Sequence, residues 1–234
     1  MNQNRKRFVL SITALIIMTF ITGCAHQLEI KNIKNYRSME LHSPAKKISV
    51  GIIPTVQAND YGSLSLVKGI SSELAKQVEV ILPYLKTSSR KVDVIAQINI
   101  KPEYKGSFWN LPINFPGFLI FMPAWHGYVY RINYDVDISL TKAYNNETIN
   151  AFSVPIYLKI RHADISRTWT VAGGFLAAPP VSGAIPLIGG ICFIQYDDDV
   201  TPLTADKIQI PIGDYIAQKI IARIKNIDDI GSSR

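Results

Sequence analysis

The chain has 234 residues, 47% of them hydrophobic and 18% charged, with 25 Lys and Arg against 18 Asp and Glu for a formal net charge of +7. That surplus is too mild to point to a nucleic-acid partner, whose sites gather basic residues on one face. The two cysteines, Cys24 and Cys192, supply neither a disulfide framework nor a paired-cysteine zinc site, so the fold rests on an apolar core.

Arg5-Lys6-Arg7 precedes an uncharged run from Phe8 to Phe20 and then Ile21-Thr22-Gly23-Cys24. A basic tip, an apolar stretch of this length and small residues before a cleavage point form the pattern of an export signal over residues 1–23. Phe8 to Gly23 covers 16 residues, short of the roughly 20 that a spanning helix needs. Ile21-Thr22-Gly23-Cys24 resembles the lipobox of bacterial lipoproteins. The resemblance implies cleavage between Gly23 and Cys24, a diacylglycerol on the Cys24 sulfur and acylation of the new amino group. Cys24 is then a membrane anchor, with the covalent lipid in place of any cofactor. Each buried methylene contributes about 0.8 kcal/mol, so two or three chains hold where one does not. Ala25 rather than an aspartate follows the cysteine, which by the same resemblance implies the outer membrane; its periplasmic side is expected ahead of the cell surface. Loss of Arg5, Lys6 and Arg7 with the signal leaves 22 basic residues against 18 acidic ones, a net charge of +4.

Residues 24–46 show no sustained period and read as the lipidated N-terminus and a flexible tether, holding the domain on average about 25 Å from the lipid. A single α/β domain is expected over residues 47–230, followed by frayed residues 231–234. Ile48, Val50 and Ile52 alternate with Ser49 and Gly51 and predict a strand that stops at Pro54. Val67, Ile70, Leu74, Val78 and Ile81 recur at three or four residues, predicting an amphipathic helix that ends by Pro83. Val92 to Ile100 alternate again, and a strand, helix, strand unit of this length predicts parallel strands joined by a right-handed crossover. Tyr128 to Leu140 is the clearest period of two in the chain, a long strand with one wet face. Tyr144-Asn145-Asn146-Glu147 is a turn signal, and Phe152 to Ile160 return, with Pro155 marking an edge or a bulge. Ile216, Ile220, Ile221, Ile224 and Ile227 predict a closing helix. The fold expected is α/β: a mixed sheet with helices on one face.

Two apolar inserts interrupt this order, at about residues 106–127 and 171–195. The second has no charged residue and carries Pro179, Pro180, Pro186 and five glycines. Trp109, Trp125 and Trp169 lie at their margins, where the headgroup region of a bilayer favours amphipathic aromatics. An antiparallel hairpin brings its open ends together, so both inserts are expected at one end of the sheet. The candidate membrane or partner contacts are Trp109, Phe115, Phe118, Leu119, Phe121, Trp125, Trp169, Phe175 and Leu187. The alternatives are loops folded over the core, since tryptophan is often a large core residue, or a spanning hairpin, against which the repeated prolines argue.

Little in the sequence points to catalysis. Arg161-His162-Ala163-Asp164 precedes the second insert and His126 borders the first, a pairing that could act as a general base only with a nucleophile in reach. Asp197-Asp198-Asp199 lacks the spaced ligands and distal glutamate of a calcium loop and reads as an exposed acidic turn facing Arg161 or Arg167. No metal site is expected.

The order of elements is similar to that of periplasmic α/β domains in lipoproteins of the curli-secretion and penicillin-binding-protein-activator type. The phrases at Asn114-Phe-Pro-Gly-Phe, Arg161-His-Ala-Asp and Pro186-Leu-Ile-Gly-Gly resemble uncharacterised proteobacterial lipoproteins. The second resemblance names no activity; the lipid anchor and the apolar inserts together predict a non-enzymatic envelope accessory or assembly factor whose inserts engage membrane or a membrane-protein partner. Its expected partners are membrane lipid through acylated Cys24 and an envelope protein. A subunit of an oligomeric export or pore complex, self-associating through the inserts, is the alternative. A small hydrolase using His162 and Asp164 comes third.

Overall fold

The computed structural model describes residues 27–31, 48–57, 59–85, 91–164 and 195–231. The export signal, Cys24, Trp169, Phe175 and Leu187 lie outside them, as does all of the second insert but Gln195. The described elements are β1 Gln27–Lys31, β2 Ser49–Thr55, α1 Tyr61–Leu74, β3 Glu79–Ile81, β4 Val94–Gly106, α2 Asn110–Asn114, a 3₁₀ turn Gly117–Ile120, α3 Met122–Trp125, β5 Tyr128–Lys142, β6 Thr148–His162 and α4 Val200–Gly231.

Six strands make one mixed sheet in the order β1-β6-β5-β4-β2-β3. β2 runs parallel to β4, with Val50 opposite Val94 and Thr55 opposite Asn99. Lys101 meets Asp137 and Glu103 meets Asn133 across β4 and β5; the falling partner numbers make this pair antiparallel. A turn closed by Lys142 N–H to the Glu147 carbonyl, 2.9 Å, folds β5 onto β6 as a hairpin. The period of two is realised along β5: Tyr128, Tyr130, Ile132, Tyr134, Val136, Ile138 and Leu140 are buried, while Arg131 and Asp135 are exposed and Asn133 and Asp137 half-buried.

Three expectations need correction. The helix read from Val67 does not continue to Ile81: α1 ends at Leu74, and Glu79–Ile81 form β3, parallel to β2. Val78 is buried where it stands, just ahead of β3, and its spacing of four from Leu74 is also that of a helix, so the spacing did not reveal the break. Gln27–Lys31, read as tether, form β1 at the sheet edge beside β6; five residues are too few for a period to stand out from a polar flank. The closing helix begins at Val200 rather than near Ile216. Pro202, Pro211 and Gly213 obscure it, because proline inside a helix removes a backbone donor and ordinarily breaks it.

The described residues fall into two compact units, and β4, β5 and β6 contribute to both. The larger holds β2, α1, β3, α4 and the strand segments 94–103, 133–142 and 148–157. In it Leu66, Val67, Ile70 and Leu74 of α1 and Ala205, Ile208, Ile212, Ile216, Ile220 and Ile224 of α4 are buried at helical spacing. These helices meet where a Cβ on Gly69 would lie 2.2 Å from the Gln209 carbonyl oxygen, and one on Gly213 would lie 2.5 Å from the Gly69 carbonyl carbon. The smaller unit holds residues 104–132, the end of β6 and residues 27–29.

Candidate functional site

No Asp, Glu, Lys or Arg occurs between Lys105 and Arg131. Pro112, Pro116 and Pro123 keep this stretch from forming one long helix, and it folds as three short turns, α2, the 3₁₀ turn and α3, that pack on one another as a cap between β4 and β5.

Two buried asparagines hold the cap. Ser107 N–H donates to the Val129 carbonyl at 3.1 Å, the last backbone bond of the ladder at this end. The Asn110 side chain then takes the place of a backbone partner: its Nδ2 donates to the Val129 carbonyl at 3.0 Å, and its Oδ1 accepts the Val129 N–H at 2.7 Å. Asn114 Oδ1 accepts the Tyr128 hydroxyl at 2.9 Å. All three of these side chains are fully buried, where a polar group left without a partner would be costly. Trp125 Nε1 donates to the Ile120 carbonyl at 2.9 Å and closes the far side. At the foot, Gly127 has φ +76°, and a Cβ there would lie 2.8 Å from the Ala163 nitrogen and the His162 carbonyl carbon. Asp164 N–H donates to the Pro123 carbonyl at 3.2 Å.

What the cap turns outward is apolar. Phe108 is 71% exposed, Trp109 70%, Ile120 64%, Leu119 58%, Trp125 48% and Phe121 38%. Of the candidate contacts, Trp109, Leu119, Phe121 and Trp125 therefore lie on the surface. Phe118 is corrected: at 4% exposed it is a core residue of the cap, with the half-buried Phe115 stacked on it at 6.0 Å between ring centroids. In a run of Phe, Leu and Ile without a charge, periodicity gives no sign of which side chains turn inward. Phe108 and Ile120, not singled out from the sequence, are among the most exposed apolar residues of the cap. Asn110 and Asn114 carry a signal of this role in the sequence, two amides inside an otherwise apolar, proline-broken run.

The two histidine positions do come together, because Gly127 packs on the His162 backbone. The His126 Nδ1, however, lies 2.8 Å from the Gly127 carbonyl and so serves the turn. Among the described residues no group of three or more His, Cys, Asp or Glu is placed to hold a metal ion, and no helix is long and apolar enough to cross a membrane. Asp198 and Asp199 are exposed ahead of α4, whose Thr201 N–H bonds the Asp198 carbonyl at 3.1 Å. Carboxylates there suit the positive end of the helix dipole.

No protein-family model matches the chain, and no curated protein matches it in sequence. Among solved structures it is similar to the rare lipoprotein B from Shewanella oneidensis, at 11% identity and a TM-score of 0.39 over 77% of this chain and 98% of that one. It is also similar to the PelC dodecamer from Paraburkholderia phytofirmans, at 9% identity and a TM-score of 0.26 over 74% of this chain and all of that one. At this identity and overlap neither likeness carries an argument about activity or assembly.

Proposed function

We propose that this protein is a lipid-anchored accessory or assembly factor of the bacterial outer membrane, acting through its apolar cap rather than by catalysis. The observation that carries the reading is the exposure of Phe108, Trp109, Leu119 and Ile120 on a cap whose backbone is fixed from within by Asn110 and Asn114. A contiguous chain segment that spends buried hydrogen bonds on holding large apolar side chains in water is the mark of an interaction site. The lipobox resemblance at Cys24 supports placement at a membrane, and Ala25 supports the outer one.

Complementation of a deletion strain tests this. The wild-type chain is expected to restore the outer-membrane barrier against detergents and large antibiotics, and Phe108→Asp with Ile120→Asp to fail although the protein accumulates. His162→Ala with Asp164→Asn is expected to complement fully. Failure of that second, folded variant would instead revive the hydrolase.

A further inference from the structure

We propose that the rim of the cap, Phe108, Trp109, Leu119 and Ile120, inserts into the outer acyl-chain margin of a lipid bilayer. The orientation given below rests on the lipid-anchor reading, whereas the insertion itself does not. Trp109 and Phe108 are a residue pair that a globular surface ordinarily covers, and here both are more than two-thirds exposed. Tryptophan suits the headgroup level, with Leu119 and Ile120 reaching the apolar margin. The exposed Lys105 and Arg131 bracket the segment, where long basic side chains can lie along apolar surface and meet anionic headgroups.

The choice of lipid over a protein follows from what the rim lacks. A protein partner is oriented by directed hydrogen bonds and charge pairs at its rim, and from residue 106 to residue 130 there is no charged side chain. Asn110 and Asn114 are bonded to Val129 and Tyr128 of β5, and the Trp125 N–H is bonded within the cap. A bilayer interior asks for no directed partner. The cap is also fixed before it meets the lipid, so little conformational entropy is lost on insertion.

The chain end supplies the direction. Only Ala25 and His26 separate Cys24 from β1, and three peptide steps of 3.3–3.6 Å reach about 10 Å at most. Gln27, Leu28 and Glu29 line one surface hollow with Lys159 and Arg161 of β6. His162, the last residue of β6, and Ala163 after it form the backbone against which Gly127 packs at the foot of the cap. These residues belong to the same compact unit as the cap. Acyl chains on Cys24 would thus enter the membrane within about 10 Å of the start of β1, in the unit that holds the cap.

The test uses the full chain, expressed with its own N-terminus, extracted in detergent and reconstituted into protein-free vesicles of phosphatidylethanolamine and phosphatidylglycerol, with or without acyl chains brominated near the glycerol. Trp125→Phe with Trp169→Phe leaves Trp109 as the reporter. Its emission is expected to move to the blue and to be quenched severalfold by the brominated lipid, and Leu119→Asp with Ile120→Asp to abolish most of that quenching. The same comparison on the three-tryptophan chain covers loosening of the cap by Trp125→Phe. Unquenched, water-like Trp109 in vesicles that carry the protein overturns the insertion. So does shielding that occurs in native membranes but not in protein-free vesicles, which assigns the rim to a protein. Mass measurement of the N-terminal peptide reports separately on Cys24: an unmodified cysteine together with a quenched Trp109 removes the anchor and keeps the insertion.

Discussion

Asn110 does with a side chain what the next residue of β4 would otherwise do with its backbone, and the chain can therefore turn away into the cap without leaving Val129 unpaired. Asn110→Ala removes the Oδ1 that accepts the Val129 N–H, a buried loss of about 1–3 kcal/mol. The expected result is faster hydrogen exchange at Val129 and chymotryptic cleavage at Phe108 or Trp109 at denaturant concentrations where the sheet still holds; unchanged protection at Val129 would show the amide to be replaceable. Asp137 offers a prediction in pH. The Lys101 ammonium, 3.0 Å away, and then the Ser153 hydroxyl bond its carboxylate and hold its pKa below the ordinary value, against a smaller opposing effect of burial. A depressed folded-state pKa stabilises fully above the unfolded value, and that contribution is lost as pH falls through the folded one. Both partners are well exposed, 66% and 44%, so the pair is worth well under about 1 kcal/mol. An NMR titration should show the Asp137 midpoint rising in Lys101→Met; an unmoved midpoint would assign the depression to Ser153. Of these details the sequence showed only that Asp137 belongs to the wet face. The partner of a charged residue on a strand depends on register, which alternation leaves open.

Helices α1 and α4 approach so closely at Gly69 and Gly213 that neither position has room for a methyl group. Gly69→Ala would drive a Cβ against the Gln209 carbonyl, and since that atom is backbone the helices must separate. Overpacking of this kind costs about 2 kcal/mol, or roughly 4–8 °C in Tm for a chain of this size, readable by thermal melting; an unchanged Tm would mean that the crossing is looser than described. Adding Gly213→Ala should cost less than the two losses summed, because one separation accommodates both methyls. The sequence announced strands β2, β4, β5 and β6 plainly because each alternates over many positions. It announced the existence of α1 and α4 through isoleucine and leucine spacing, but misplaced an end of each. Val78 fits both periods, and Pro211 conceals a helix that tertiary packing sustains: Ile208 and Ile212 on either side of it are fully buried. A local breaker says what the backbone prefers alone, and here burial outweighs it.

On the proposed reading, folding and interaction are carried by different residues, and that separation is measurable. Phe108 and Ile120 contribute exposed surface, so Phe108→Asp with Ile120→Asp should leave the unfolding free energy from urea titration within the roughly 0.5 kcal/mol typical of surface changes, while reducing detergent demand during purification. A large loss of stability would show the rim to be part of a core. The class of fold was readable because it depends on the sum of many strand and helix periods, whereas the direction in which the cap faces depends on two amides and a few carbonyls. The absence of charge from residue 106 to residue 130 has a consequence for how the cap should respond to its medium. With no ion of its own, its hold on a surface is a matter of apolar hydration and not of screening. Salt that strips charge-bound proteins should weaken the Trp109 signal only slightly, through Lys105 and Arg131 at the margins, since the Debye length has nothing to act on in the rim itself. Sulfate should strengthen the signal and cooling should weaken it, as apolar burial loses force towards low temperature. A signal that fell steeply with sodium chloride would instead place the grip in the flanking Lys105 and Arg131.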